Sequence, residues 1–139
     1  MPNQAISSFD VTAWDELPYL EPPAGPRLSR ATVAKTFRGD LVGESTAELL
    51  MCTSDPADLA AGAGYVASEL IEGRLSGLAG TFVLQHGGLM AGLETRETFG
   101  HVVPGSATGE LQGLTGDAVL AVDAEGKHTM TLTYEIAVT

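Results

Sequence analysis

The sequence is short of several features that would direct it to an oxidising compartment or a membrane. It has one cysteine, Cys52, which cannot form an internal disulfide and is interpreted as a small apolar strand residue rather than a nucleophile. No stretch approaches the ~20 apolar residues of a membrane-spanning helix. The first residues, Met1–Ala5, carry neither a basic leader nor an apolar signal core. These absences predict a cytoplasmic protein that does not enter a membrane.

Positive charge is also scarce. Lysine and arginine number 7 against 18 aspartates and glutamates, so the net charge is −11. Phosphate backbones and anionic lipids would be repelled by such a chain, so nucleic acid and membrane surfaces are not expected partners. The acidic residues are spread along the chain, as on a solvated outer face.

Helical periodicity is nearly missing, and apolar alternation at period two takes its place. With 17 glycines in 139 residues, the chain has many turns and bends but no repeat. We predict a single all-β domain over residues 1–139, an antiparallel β-barrel of about eight strands. The segments that alternate are Ile6–Trp14, Leu28–Arg38, Leu41–Cys52, Tyr65–Arg74, Thr81–His86, Leu93–Val103, Ser106–Leu114, Ala118–Val122 and Lys127–Val138.

The intervening segments are predicted from their prolines and glycines. Four prolines make Asp15–Pro26 an extended loop. Thr53–Gly64 is a loop that could hold one helical turn from Pro56, and Gly87-Gly88 ends a strand. Apolar residues on both sides of Leu41–Cys52 predict a strand with two covered faces.

Three segments resemble the bacterial family DUF3224: Phe37-Arg38-Gly39-Asp40-Leu41-Val42-Gly43-Glu44-Ser45, Thr81-Phe82-Val83-Leu84-Gln85-His86-Gly87 and Val102-Val103-Pro104-Gly105-Ser106-Ala107-Thr108-Gly109-Glu110-Leu111. The resemblance runs from about Phe9 to Ile136. That family is similar to the allene oxide cyclase barrels, which implies an eight-stranded antiparallel barrel of that type with a ligand-sized interior. Ala107 stands where glycine is expected. Gly100 stands where an aromatic residue is usual, which would enlarge the cavity.

Several familiar chemistries are excluded by missing residues. Gly105–Glu110 lacks the lysine and helix of a phosphate loop, and Gly43–Ala47 lacks the second glycine of a hydrolase nucleophile elbow. His86, His101 and His128 lie on separate strands, which favours structural roles over a metal site. We therefore expect no metal and no cofactor.

An acid and base set remains. Glu69 shares a strand face with Tyr65 and apolar residues, so it either faces inward or is an exterior carboxylate on a wetter face. If it faces inward, burial should raise its pKa towards the range useful for proton transfer. The candidate catalytic residues are Glu69, Tyr65 and His86, with Glu48 as the runner-up.

The last strand indicates which residues could contact a ligand. One of its faces is a row of threonines suited to water, so the opposite face should look inward, next to the matching face of Thr81–His86. Trp14 and Tyr19 either flank a barrel mouth or belong to the core. The predicted ligand-binding residues are Trp14, Tyr19, Phe82, Leu84, His128, Met130, Leu132 and Tyr134.

Three functions remain open. The first, supported by the resemblance, is a cofactor-independent isomerase or cyclase that folds an apolar small molecule, such as a polyketide-like or lipid-like intermediate, inside the barrel. The second is a non-catalytic carrier or sensor of a small apolar molecule, and the third is a structural module with a filled interior. The resemblance and the apolar residues Leu50, Leu89 and Leu93 also predict a homo-oligomer, with a dimer as the expected form.

Overall fold

The computed structural model describes residues 2–92 and 94–137, and of residue 96 the backbone alone. It contains eight strands and two short 3-10 turns, Leu59–Ala61 and Gly109–Leu111. The strands are β1 (Asn3–Leu20), β2 (Arg27–Gly39), β3 (Leu41–Thr53), β4 (Ala63–Leu75), β5 (Leu78–Ala91), β6 (Glu94–Val102), β7 (Leu114–Val122) and β8 (His128–Ile136). Over these residues, no helix has the length and apolar character needed to cross a membrane.

Each strand pairs antiparallel with the next, and β8 returns to pair with β1, so one sheet closes into a barrel-like ring. The prediction of an all-β chain of about eight antiparallel strands is confirmed. We call the end with loops 21–26 and 54–62 the upper end, and the end with the turns at Asp40 and Ser76-Gly77 the lower end. Positions 93 and 138, where two predicted strands begin or end, lie outside the described residues.

The prediction that Asp15–Pro26 is a loop is wrong for its first half, because β1 continues to Leu20. Pro18 pairs with Ser29 of β2, and the register shifts immediately after it. On the other side of β1, the recorded pairing with β8 ends at Phe9. A proline is tolerated here because an edge strand has amide positions that need no ladder partner.

The segment Ser106–Leu114 was expected to be a strand, and that prediction is also wrong. It forms a loop with a 3-10 turn whose backbone bonds back to β5, as in the 2.8 Å hydrogen bond from the Thr108 amide to the Thr81 carbonyl. Gly105 and Gly109 adopt positive φ angles, which a strand does not use. Leu111 is fully buried and helps to close the lower end.

The glycine pair Gly87-Gly88 does not end β5, contrary to prediction, since the strand continues to Ala91. Gly87 is required for space: a Cβ there would lie 2.5 Å from a ring atom of Phe99 and 2.7 Å from the Tyr65 carbonyl oxygen. The expectation that Gly100 enlarges a cavity is wrong as well. A Cβ at Gly100 would lie 2.5 Å from the Ala118 carbonyl oxygen, so the backbone of β7 fills that space.

Alternation places one face of each strand inside the ring, where two apolar clusters form. The outer face of β3 is exposed at Val42 and Leu50, so the prediction of two covered faces is wrong. Cys52 lies half-buried near the upper end of the same strand. The lower cluster contains Ala5, Phe9, Phe37, Leu41, Ile71, Leu75, Phe82, Leu84, Val102, Ala107, Leu111, Leu114, Ala118, Met130, Leu132 and Tyr134. The upper cluster contains Ala31, Val33, Ala47, Leu49 and Ala67, with Met51 and Tyr65 packed against it.

The neighbouring glycines of β5 provide a test of this packing. We expect Gly87→Ala to lower the free energy of unfolding by about 2 kcal/mol, because its Cβ would press on backbone and on the Phe99 ring. Gly88→Ala is the matched control: its Cβ would lie 3.3 Å from the Tyr65 ring, and we expect a loss below about 1 kcal/mol. Urea denaturation measures both variants, and equal losses would contradict this account of β5.

Candidate functional site

Four polar side chains form a layer inside the ring between the two apolar clusters. They are Lys35, Ser45, Glu69 and His86, one from each of β2 to β5. Each is buried, and each follows the interior alternation of its strand. We call this set the polar layer.

Glu69 lies at the centre of the polar layer and has no exposed surface. Its Oε1 accepts hydrogen bonds from Lys35 Nζ at 3.0 Å and from His86 Nε2 at 2.8 Å, and its Oε2 accepts one from Ser45 Oγ at 2.6 Å. The Lys35 ammonium also lies 4.6 Å from the centre of the Phe9 ring. The buried carboxylate is therefore paired with a cation and hydrogen-bonded at both oxygens.

The direction of the Glu69 pKa shift is opposite to the one expected from the sequence. Burial alone would raise the pKa, but the hydrogen bond from His86, the charge of Lys35 and the hydrogen bond from Ser45 outweigh it and lower the pKa to about 2. The expectation of a raised pKa is wrong because it considered burial without the donors. Glu69 is thus a stable carboxylate and a poor proton acceptor near neutral pH.

A hydrogen-bonded chain leads from Glu69 towards the upper end. Because the Glu69 carboxylate can only accept, His86 Nε2 must carry a proton, and His86 Nδ1 then lies 2.9 Å from the Tyr65 hydroxyl oxygen. Tyr65 is half-buried, and burial together with the charge of Glu69 raises its pKa. The Tyr65 hydroxyl therefore stays protonated near neutral pH. Of the three hydrogen-bonded residues Glu69, His86 and Tyr65, it is Tyr65 that has access to solvent.

Over the residues that the structure describes, the pairing of the ring is incomplete near its upper end. The pairing recorded between β1 and β8 stops at Phe9, although β1 continues to Leu20. Between β6 and β7, the recorded pairing is a single residue pair, His101 with Asp117. The upper interior is thus flanked by a sheet edge at β1, while the lower interior is enclosed.

Most of the predicted ligand-binding residues lie inside the ring, but in its lower half. Phe82, Leu84, Met130 and Leu132 are fully buried in the lower cluster. Tyr134 is buried there too, with its hydroxyl 3.2 Å from Ser76 Oγ, and His128 is half-buried and stacks on Phe9. The structure confirms that these faces point inward, and it places them in packed core rather than beside Tyr65.

Trp14 and Tyr19 lie on the upper half of β1, which pairs with β2 but extends beyond the pairing with β8. Trp14 pairs with Val33, which faces the interior, so the indole lies on the same side of the sheet and is 50% exposed. Tyr19 lies at the register shift after Pro18 and is 56% exposed. Neither belongs to the core, and their contact with a ligand stays a prediction.

Glu48, the runner-up catalytic residue, is on the outer face because its neighbours Ala47 and Leu49 face inward. Its carboxylate accepts hydrogen bonds from Thr32 at 2.9 Å and Arg30 at 3.1 Å, which lower its pKa. The structure therefore separates Glu48 from the polar layer and corrects its place among the candidate catalytic residues.

The three histidines do not converge. His86 is in the polar layer, His101 is exposed beside Asp117, and His128 stacks on Phe9. Within residues 2–92 and 94–137, no group of three or more His, Cys, Asp or Glu side chains is arranged to hold a metal ion.

The similarity of this chain to known proteins extends over the whole ring. The family described as "Protein of unknown function (DUF3224)" matches residues 5–134. The chain belongs to the DUF3224 family. It is similar to a crystal structure of a DUF3224 protein of unknown function from Shewanella oneidensis MR-1, with 31% identity and a TM-score of 0.81. That similarity covers 99% of this chain and 100% of the other, and no curated protein matches the chain.

Sequence reasoning missed Lys35 and Ser45 in this DUF3224 protein. A lone lysine on the apolar face of Ala31, Val33 and Phe37 was a usable signal, because a buried cation needs a partner. The partner could not be chosen without knowing the strand order. In the structure, Lys35 pairs across β2 and β3 with Ser45, and Glu69 lies one strand further on.

We expect Glu69→Gln to be less stable than the wild type by about 3–5 kcal/mol at pH 7, because it leaves the Lys35 ammonium buried without its counter-charge. The lowered pKa of Glu69 means that its contribution is present above pH 4.5 and is lost as the pH falls from 4.5 towards 2. The variant should lack this loss. Lys35→Met in the Glu69→Gln background is the control and should recover stability. Equal stability of the wild type and Glu69→Gln across this pH range in urea denaturation would contradict the role of the ion pair.

Proposed function

We propose that the protein is a cofactor-independent isomerase or cyclase whose proton-transfer unit is Tyr65, His86 and Glu69. The observation that carries the proposal is the hydrogen-bonded chain from Glu69 Oε1 to His86 Nε2 and from His86 Nδ1 to Tyr65 Oη, with distances of 2.8 and 2.9 Å. Each group has one role in it. Tyr65 contacts the substrate, His86 stores the proton, and Glu69 orients the imidazole.

The proton moves through this chain without a net change in the protein. Neutral His86 donates from Nε2 to Glu69, so its Nδ1 accepts the Tyr65 proton as the Tyr65 oxygen takes a proton from the substrate. The imidazolium that forms lies beside an ionised Glu69, which stabilises its charge as the carboxylate does in serine hydrolase triads. His86 then returns its proton to Tyr65 Oη as Tyr65 gives its own proton to another substrate atom. One bond to hydrogen breaks and another forms, which is an isomerisation.

The surroundings of Tyr65 favour an apolar substrate. Tyr65 packs against a cluster of alanine, valine, leucine and methionine side chains, several of them small. Such a lining favours apolar molecules, and holding a flexible molecule in few conformations lowers the barrier to ring closure or rearrangement. We also propose that the ring is a barrel of the allene oxide cyclase type, as the resemblance of the family to those barrels implies.

The proposal is tested by proton exchange into an apolar ketone. In heavy water, the wild type should accelerate deuterium incorporation at the carbons beside the carbonyl of β-tetralone, followed by proton NMR. Tyr65→Phe should lower this acceleration by about 100-fold, because it removes the hydroxyl and keeps the ring. Tyr134→Phe is the matched control and should exchange like the wild type, since its hydroxyl bonds Ser76 in the lower half.

The outcomes separate the three functions. Exchange that survives in Tyr65→Phe contradicts the proposed unit. Binding of the ketone without exchange favours the alternative, a non-catalytic carrier of small apolar molecules. Neither binding nor exchange favours a structural module.

The homodimer stays a prediction, as does the cytoplasmic location. Leu50 and Leu89 are 51% and 52% exposed, whereas Leu93 lies outside the described residues. Leu50 pairs with Val66, and both line an outer cleft of about 490 Å³ that also contains Phe99. Such exposed apolar surface supports self-association through this face.

We expect the wild type to sediment as a dimer and Val66→Asp to sediment as a monomer, because a charge would be buried in the contact. Val119→Asp is the control: Val119 is also exposed but lies on β7, and its variant should remain dimeric. A monomeric wild type at high protein concentration would contradict the prediction.

A further inference from the structure

Two buried polar atoms have no hydrogen-bond partner in the part of the chain that the structure describes, Arg27 Nε and Ser29 Oγ. Arg27 Nε has the Glu21 carboxylate 3.6 Å away, so its charge is matched. Ser29 has no such group and is 1% exposed. Leaving a buried hydroxyl unbonded costs about 1–3 kcal/mol, so its presence calls for an explanation.

The position of Ser29 supplies one. Ser29 pairs with Met51, Met51 pairs with Tyr65, and Tyr65 pairs with Gly88. Directly opposed residues of antiparallel strands project to the same face, so Ser29 and Tyr65 lie on one row across the upper interior. Two strand spacings separate them, about 10 Å between backbones.

We propose that Ser29 is a ligand-binding residue whose hydroxyl donates a hydrogen bond to an oxygen of the molecule that reacts at Tyr65. This inference rests on the proposed function, and it specifies the ligand further. The ligand is an apolar molecule that carries a carbonyl or hydroxyl oxygen, held at one end by Ser29 while another part lies against Tyr65. A pure hydrocarbon would leave the serine unbonded and would bind less well.

Met51 provides the route to Ser29. It is the cross-strand partner of Ser29 and is only partly buried. An unbranched methionine side chain has three rotatable bonds and adapts its shape readily. A ligand can therefore reach the serine by moving Met51 aside without shifting the backbone of β2 or β3.

The test compares an apolar ketone with its parent hydrocarbon. Binding of β-tetralone and of tetralin is measured by NMR titration of the wild type, Ser29→Ala and Ser7→Ala. Ser7 is the matched control, since it is another buried interior serine, but its Oγ bonds the Met130 carbonyl at 3.4 Å in the lower half. Urea denaturation without probe is measured on the same three proteins.

We expect Ser29→Ala to weaken β-tetralone binding by about 2-fold to about 10-fold and to leave tetralin binding unchanged. Ser7→Ala should bind both probes like the wild type. Without probe, Ser29→Ala should be at least as stable as the wild type, because no hydrogen bond is lost.

Three results would overturn the inference: unchanged ketone binding in Ser29→Ala, an equal loss for both probes, or no binding of either probe to the wild type. The proposed function is tested separately by deuterium exchange in Tyr65→Phe. Ketone binding that depends on Ser29 but is not accompanied by exchange would reject the isomerase and keep the ligand site.

Discussion

The interior of this protein is arranged around the carboxylate of Glu69, which has no exposed surface. Removing Glu69 from water is costly, and the cost is offset only while Lys35, His86 and Ser45 hold their positions around it. These three donors and Glu69 come from four consecutive strands, so the register of each pairing must be correct for the set to form. A one-residue slip in any of these pairings would turn one of the groups to the outer face and leave the others without their partner.

The polar layer around Glu69 also separates the interior of the ring into a lower and an upper half. Below the polar layer, large side chains such as Phe37, Phe82 and Leu132 fill the ring. Above it, alanines at positions 31, 47 and 67 leave less bulk around Tyr65. A low-pKa carboxylate would serve poorly as the base itself, yet it suits the task of holding an imidazole in one tautomer. Under the proposed function, the chemistry therefore belongs to Tyr65 and His86.

The alternation of apolar and polar residues along each strand made part of the interior predictable from the sequence. The inward face of β8, with Met130 and Leu132, and the inward face of β5, with Leu84 and His86, follow from period two alone. The sign of the Glu69 pKa shift did not follow, because it depends on the hydrogen bond from His86 and the charge of Lys35, which are 17 and 34 positions away in sequence. The strand at Pro18 was not predictable either, since a strand tolerates proline only where the missing amide would have had no neighbouring strand to bond.

The upper half of β1 has a consequence for solubility. A strand edge with free amides and carbonyls can recruit the edge of another molecule, and proteins resist this with charges and proline. The segment beyond Phe9 carries Asp15, Glu16 and Pro18, and its carboxylates oppose the approach of another edge of like charge. The upper half of β1 can thus extend beyond its pairing with β8 without becoming a template for aggregation.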